Sequence, residues 1–259
     1  MNLKAKVAIV SGGAKGIGES IVRTFVQHGG KVLFIDKDKK AGLELESYLS
    51  NTGADVRFFE GDLTEDGICK QAVEQAVQEF GGIDILVNNA GINDHVGLDA
   101  DPSEFINSIR LNLMHCFELV KYSAPYIRKN KGRIINIASK VAQTGQGGTS
   151  GYAASKGALL ALTREWAVDF AEFGATVNAV VPAEVYTPMY EQELAKALDP
   201  NLAREKVNYS VPLEHRLTNP DEIAHMVLFL ASPLAAHITG QHMNVDGGYV
   251  HLDRMYTQR

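Results

Sequence analysis

The chain has 259 residues, of which 45% are hydrophobic and 22% are charged, and its net charge is −6. A chain of this length can form one large α/β domain, and its negative charge disfavours a nucleic-acid surface, which needs a basic face. The N-terminus lacks the basic region and cleavage site of a signal peptide, and no apolar run approaches the ~20 residues that span a bilayer. We therefore expect a cytoplasmic protein with neither nucleic-acid nor membrane partners.

Cysteine and histidine usage predicts no metal site. Cys69 and Cys116 fall inside apolar helical patterns, which disfavours a structural disulfide and fits a reducing compartment. His95 and His251 have no neighbouring ligands at metal-binding spacing, so we interpret them as surface or pocket-edge residues.

Short apolar runs alternate with longer helical patterns along most of the chain. Their near-continuous valine and isoleucine content is typical of strands that are buried on both faces of a parallel sheet. The predicted strands are 7–10, 32–35, 56–59, 83–87, 134–138, 177–181 and 242–245. The predicted helices between them include 68–80, with Thr64 as a possible N-cap, 102–129 and 151–173. This alternation predicts a single α/β domain over 1–259, a Rossmann-type doubly wound sheet of about seven parallel strands with helices on both faces.

Each unusual glycine or polar cluster directly follows a predicted strand. The clusters are the turn at 12–18, Asp36, 61–63, 88–91, Ser139 and 182–187. Because ligands of doubly wound sheets bind beyond the carboxyl ends of the strands, we expect these clusters to form one site.

The first cluster has the composition of a phosphate-binding turn. Glycines between a strand and a helix permit a tight turn and let a pyrophosphate approach the backbone at the helix N-terminus. The predicted contacts in this turn are Gly12, Lys15, Gly16, Ile17 and Gly18.

Asp36 favours NAD as the cofactor, because a carboxylate at the end of the second strand can accept hydrogen bonds from ribose hydroxyls and repels a 2′-phosphate. Lys15 and Lys37 could pair with a 2′-phosphate, so NADP stays the alternative. Asp62, next to Leu63, could bond the adenine amine or only cap a turn.

The run from Asn88 to Gly91 is a second candidate contact for the cofactor. Its residues Asn89, Ala90 and Gly91 could close the cofactor groove or only form an Asx turn.

Tyr152 and Lys156 are the strongest candidates for catalysis. Residues four apart share one face of a helix, so the ammonium can lie beside the phenol. The positive charge favours the phenolate, which makes the phenol a candidate proton acceptor. The spacing is common by itself, but Ser139 upstream and the glycine turn strengthen the prediction.

The glycine motif, the Asn-Asn-Ala-Gly run and the ordered set Asn112, Ser139, Tyr152 and Lys156 resemble the short-chain dehydrogenase/reductase family over essentially the whole chain. The resemblance implies that Tyr152 is the general base, that Lys156 also holds ribose hydroxyls and that Ser139 bonds the substrate oxygen. Asn112 would hold a proton-relaying water, with a structural amide as the alternative. Val185 and Thr187 would contact the cofactor, although Pro182-Ala183 stands where the family usually has Pro-Gly.

The candidate substrate contacts are polar, which favours a polyhydroxylated substrate over a steroid or an acyl chain. They are Asn93, Asp94, Lys140, Gln143, Gln146, Glu184 and Tyr190, any of which could instead be solvated. The stretches 88–94, 144–152, 182–185 and 247–254 are similar to bacterial L-fucose dehydrogenases, which oxidise the anomeric carbon to a lactone. The resemblance implies an NAD(P)-dependent aldose dehydrogenase, with L-fucose first and D-arabinose and L-galactose-like sugars next.

Two other functions stay open. A 3-oxoacyl thioester reductase shares the fold and the catalytic set, and a non-catalytic nucleotide sensor needs only the groove. We also expect a homodimer or homotetramer that pairs through the helices near Asn112 and after Tyr152, with Met114, His115, Phe117, Leu162 and Trp166 as candidate contacts. Residues 182–219 are predicted to form a substrate lid, and 249–259 to lie near a pocket or a subunit interface.

Overall fold

The computed structural model describes residues 1–253, which contain one sheet of seven parallel strands. The strands are β1 (Val7–Ser11), β2 (Lys31–Asp36), β3 (Val56–Glu60), β4 (Ile85–Asn88), β5 (Arg133–Ile137), β6 (Thr176–Pro182) and β7 (His242–Val245). They pair in the order β3-β2-β1-β4-β5-β6-β7. The predicted doubly wound fold is therefore confirmed.

The same residues contain nine α-helices, six of which pack on the two faces of the sheet. They are α1 (Gly16–Gln27), α2 (Lys39–Ser50), α3 (Ile68–Phe80), α4 (Pro102–Ile109), α5 (His115–Asn130), α6 (Ser150–Ala171), α7 (Pro188–Leu194), α8 (Pro200–Ser210) and α9 (Pro220–Ala231). Helices α1, α2 and α9 pack in the core of one face, and α3, α5 and α6 pack in the core of the other. None of the helices described is long and apolar enough to cross a membrane.

The direction of strand order reverses at β1, which lies between β2 and β4. A crevice forms at such a reversal because the connections from β1 and β4 leave toward opposite faces of the sheet. This arrangement positions the glycine turn after β1 opposite the loop after β4.

Helix α3 has the predicted bounds, but its predicted N-cap is wrong. Gly67, in a left-handed conformation, precedes α3 as its N-cap, and Thr64 lies in the preceding turn. There the amide and hydroxyl of Thr64 both donate to the Asp62 carboxylate. A local aspartate thus takes the hydrogen bonds that we expected at the helix N-terminus.

The predicted helix at 102–129 is interrupted by a π-helical turn, Arg110–Met114, between α4 and α5. A π turn inserts an extra residue and rotates the residues before it relative to those after it. Phe105, which precedes the π turn, is 38% exposed, whereas Asn112, inside the turn, is fully buried.

Candidate active site

A groove of about 640 Å³ opens at the carboxyl ends of the strands. It is lined by all the predicted cofactor contacts, namely Gly12, Lys15, Gly16, Ile17, Gly18, Asp36, Asp62, Leu63, Asn89, Ala90, Gly91, Tyr152, Lys156, Val185 and Thr187. Ser139 lines the same groove. The structure therefore brings together residues that are up to 175 positions apart, as the strand-end argument predicts (from Gly12 to Thr187).

The glycine turn brings the start of α1 against the end of β1. Gly12 has a φ of 63°, a left-handed conformation that residues with a side chain rarely adopt. A Cβ atom at Gly18 would lie 1.9 Å from the carbonyl oxygen of Gly12, so a side chain there would force the helix away. The amides at the start of this 12-residue helix thus stay open to the groove, which fits the pyrophosphate of a dinucleotide.

Ser11 and Asn89 join the glycine turn to the loop after β4. The Ser11 hydroxyl accepts hydrogen bonds from the amides of Asn89 (2.9 Å) and Ala90 (3.1 Å). The Asn89 side chain donates to the carbonyls of Ser11 and Gly12, at 2.9 and 3.0 Å. Asn89 therefore holds the two walls of the groove together besides lining it.

Acidic groups dominate the groove at the end of β2. The Asp36 carboxylate accepts hydrogen bonds from the amides of Ala14 and Asp38, each at 3.0 Å. Lys15 forms an ion pair with Asp38, and this hydrogen bond raises the pKa of Lys15 and lowers that of Asp38. The Lys37 ammonium lies 3.9 Å from Asp62. Both lysines that could pair with a 2′-phosphate therefore already have acidic partners.

Asp62 forms a turn with Thr64, as one of its two interpretations predicts. Hydrogen bonds from the Thr64 amide (3.0 Å) and hydroxyl (2.8 Å) hold the pKa of Asp62 below its ordinary value, with the amide as the larger cause. The carboxylate is thus ionised at neutral pH while it lines the groove.

Lys156 is buried beside Tyr152. Its ammonium donates to the carbonyl of Ile137 at 2.8 Å and lies 5.6 Å from the centroid of the Tyr152 ring. A Cβ atom at Gly91 would lie 3.2 Å from the Lys156 Nζ atom. The absence of a side chain at Gly91 therefore leaves the space in which this ammonium faces the groove.

The Asn112 amide is satisfied by main-chain groups. Its nitrogen donates to the carbonyl of Ser108 at 3.1 Å, and its oxygen accepts from the amide of Ile92 at 2.8 Å. Asn112 thus fixes the π turn to the loop after β4, which agrees with the structural interpretation that the sequence left open.

Ser139 begins the loop that follows β5. Its hydroxyl accepts a long hydrogen bond of 3.4 Å from the amide of Val141 and caps a short 3₁₀ turn. The hydroxyl hydrogen remains available for a second partner in the groove.

Most of the predicted substrate contacts have partners outside the groove. Asn93 accepts from the Thr149 hydroxyl, and Asp94 accepts from the Ser108 hydroxyl at 2.9 Å. The side chain of Gln143 accepts from Asn244, and that of Gln146 is exposed. Of the predicted set within the described residues, Tyr190 alone lines the groove.

Lys140 and Glu184 form a buried ion pair, with side chains only 8% and 14% exposed. The Lys140 ammonium also lies 3.9 Å from the centroid of the Tyr249 ring. The Tyr190 phenol lies within hydrogen-bonding reach of Glu184, and burial followed by this negative charge raises the pKa of Tyr190. Four segments of the chain therefore meet at this cluster.

Sequence reasoning missed His115 as a groove residue. His115 is 1% exposed, and burial lowers its pKa to about 4, so the ring is neutral at pH 7. Its Nε2 atom has no hydrogen-bond partner within residues 1–253. His115 lies three residues after Asn112, and residues at this spacing share a helix face. This spacing was the signal in the sequence that could have placed His115 near the groove.

Comparison with known proteins agrees with a dinucleotide-dependent oxidoreductase. Residues 12–250 match a family model described as enoyl-(acyl carrier protein) reductase. The chain belongs to the short-chain dehydrogenase/reductase family and is an oxidoreductase of that family.

Two curated relatives have different activities at similar identity. L-fucose dehydrogenase of Mus musculus is 38% identical over 245 residues, which cover 94% of this chain and 88% of the relative. The 3-oxoacyl-[acyl-carrier-protein] reductase FabG of Thermotoga maritima is 35% identical over 252 residues, which cover 96% and 100%.

Two solved structures share the fold over nearly the whole chain. The Cj0485 dehydrogenase is 43% identical with a TM-score of 0.92, and the match covers 98% of both chains. The ligand-free aldohexose dehydrogenase of Thermoplasma acidophilum is 30% identical with a TM-score of 0.87, and the match covers 97% of this chain and 96% of the other.

Proposed function

We propose that the protein oxidises the anomeric hydroxyl of an aldose to a lactone, with NAD as the hydride acceptor. L-fucose is the first candidate substrate, followed by D-arabinose and L-galactose-like sugars. The observation that carries the proposal is the convergence of Tyr152, Lys156 and Ser139 in one dinucleotide-sized groove. Similarity to an L-fucose dehydrogenase and to an aldohexose dehydrogenase supports a sugar as the substrate.

The proposed reaction removes a proton from the anomeric hydroxyl and a hydride from the carbon that carries this hydroxyl. The nicotinamide of the bound cofactor supplies the hydride acceptor. Tyr152 accepts the hydroxyl proton, Ser139 donates a hydrogen bond to the substrate oxygen, and the Lys156 charge favours the phenolate. Because an anomeric hydroxyl is more acidic than an ordinary alcohol, its proton is the easier one for Tyr152 to remove.

Asp36 and Asp38 support NAD over NADP. The two carboxylates near the expected ribose position disfavour a 2′-phosphate, and Asp38 pairs with Lys15, the lysine of the glycine turn. We expect a higher kcat/KM with NAD than with NADP, measured at saturating sugar.

We propose that residues 182–219 close over the substrate. All residues of α7 and α8 are at least partly exposed, as expected of a segment with few core contacts. A parallel bridge between Val185 and Thr218 joins the two ends of the segment to each other. The segment therefore leaves and rejoins the core at neighbouring positions.

An oligomer and a cytoplasmic location remain part of the proposal. On α4, the π turn and α5, the side chains of Ile106, Met114 and Phe117 are 68%, 45% and 47% exposed, which favours pairing with a second copy. His115 and Trp166, named with them from the sequence, are instead buried. His115 lines the groove, and Trp166 packs in the core of the subunit. The predicted tail at 249–259 lies beyond the described residues from 254 onward.

A 3-oxoacyl thioester reductase is the second candidate, because FabG is nearly as similar as the sugar dehydrogenase. Steady-state NAD reduction with a panel of aldoses, and NADPH oxidation with a 3-oxoacyl thioester, separates the two. Turnover of aldoses supports the proposal, whereas turnover of the thioester alone contradicts it. Binding of NAD without turnover of either substrate would support the nucleotide sensor.

A further inference from the structure

A contribution to stability does not by itself explain the buried Lys140–Glu184 ion pair. Removing two opposite charges from water costs several kcal/mol, and their attraction repays this cost only with well-placed partners. The pair is buried and joins the loop after Ser139 to the first residues of the segment 182–219. Lys140 also directly follows Ser139 in the chain, so the pair has a fixed relation to the proposed site of the substrate oxygen.

The pair has further partners on both sides. The ring of Tyr249 packs on the Lys140 ammonium at 3.9 Å, a favourable cation–π contact. Glu184 is held through its main chain as well, because its carbonyl accepts from the Thr218 amide at 2.9 Å. The carboxylate of Glu184 is therefore fixed in place before any substrate binds.

Tyr190 connects this pair to the groove. The residue lies on α7 and lines the groove, and its phenol lies within hydrogen-bonding reach of the Glu184 carboxylate. A phenol that gives its hydrogen to a carboxylate has no second hydrogen to donate. Its oxygen therefore offers only lone pairs, which accept a hydrogen bond from a ligand hydroxyl.

We propose that Tyr190, oriented by the Lys140–Glu184 pair, accepts a hydrogen bond from a substrate hydroxyl remote from the reacting carbon. This assignment rests on the proposed function, and it makes Tyr190 a specificity-determining residue for a polyhydroxylated substrate. An acyl chain offers no donor there, so a buried acceptor would be left unpaired. Lys140 and Glu184 are positioning residues, because they act through Tyr190.

The test combines Tyr190→Phe with a series of monodeoxy analogues of the best aldose substrate. We expect the variant to lose about threefold to tenfold in kcat/KM with the intact sugar, mainly through a higher KM, because one neutral hydrogen bond is removed. With one deoxy analogue, which lacks the paired hydroxyl, the variant and the unmodified enzyme should have equal kcat/KM.

Tyr186→Phe is the matched control. Tyr186 belongs to the same segment, but its phenol donates to Glu191 at 2.9 Å and the residue lies outside the groove lining among the described residues. This variant should have the same kcat/KM as the unmodified enzyme with the intact sugar and with each deoxy sugar. NAD affinity, measured by quenching of protein fluorescence, should be unchanged in both variants.

The double variant Lys140→Met/Glu184→Gln tests the positioning role without leaving one charge buried alone. It should lose discrimination between the intact sugar and the same deoxy analogue, while circular dichroism and NAD affinity report an intact fold. Equal loss of kcat/KM with every sugar in Tyr190→Phe would overturn the assignment. Failure of the unmodified enzyme to oxidise any aldose would instead overturn the proposed function, and the assignment with it.

Discussion

Lys156 joins three parts of the site through a single ammonium group. It donates to the Ile137 carbonyl at the end of β5, lies beside the Tyr152 ring and faces the open space at Gly91. Because the residue is buried, its charge acts on Tyr152 with little screening by water. We expect the charge, more than the length of the side chain, to matter for turnover.

Lys156→Met should therefore lower kcat/KM by about 10²- to 10⁴-fold at neutral pH, the usual contribution of acid–base catalysis. Activity should recover in part at high pH, where solvent removes the phenol proton. Lys121→Met is the control, because the exposed Lys121 lies at the same 5.6 Å from a tyrosine ring, that of Tyr122. Loss of activity in both variants would contradict a specific effect of the Lys156 charge.

At the scale of elements, the contact between β1 and α1 determines the shape of the cofactor half of the groove. This contact depends on Gly18, where a Cβ atom would meet the Gly12 carbonyl. Neither the clash at Gly18 nor the π turn around Asn112 could be read from the sequence, because both depend on the detailed backbone geometry of the folded chain. The existence of the glycine turn itself was predictable, since strand, glycines and helix follow one another locally.

Gly18→Ala should destabilise the protein by about 1–3 kcal/mol, the usual cost of overpacking, and should weaken NAD binding. Gly157→Ala is the matched substitution, because a Cβ atom there meets nothing within 4 Å and the residue lies inside α6. It should stabilise the protein by about 0.5–1 kcal/mol. Urea unfolding and NAD titration measure both effects, and equal behaviour of the two variants would show that the close approach at Gly18 is unimportant.

At the scale of the whole molecule, the fold follows from the alternation of buried strands and amphipathic helices. All seven predicted strands overlap observed ones, because strands buried on both faces have a strong local signal. The substrate end of the site was harder to predict. Lys140 and Glu184 are 44 positions apart, and only the folded chain reveals that each is the other's partner.

Stability should also depend on the buried, neutral His115. Its pKa is about 4 in the folded protein, below the ordinary histidine value of 6.5, so protons bind preferentially to the unfolded chain. The stabilisation is present above pH 6.5 and is lost as the pH falls toward 4. The main cause is burial, to which the Lys156 charge adds, whereas Asp62 acts in the opposite direction.

Between pH 7 and pH 5 this one residue should account for about 2 kcal/mol of lost stability. His115→Gln should therefore show a shallower fall in the free energy of unfolding over this range than the unmodified protein. The exposed His237 provides a control, since His237→Gln should leave the pH dependence unchanged. Parallel curves for the unmodified protein and His115→Gln would contradict a buried neutral histidine.

The most direct test of the whole account is the rate of NAD reduction with L-fucose by Tyr152→Phe, with NAD affinity measured on the same preparation. Removal of the phenolic oxygen takes away the proton acceptor and leaves the cofactor groove intact. We predict that kcat falls by about 10²- to 10⁴-fold while the Kd for NAD changes by less than about threefold. A variant that reduces NAD at the unmodified rate would contradict the assignment of Tyr152 as the base, and with it the proposed mechanism.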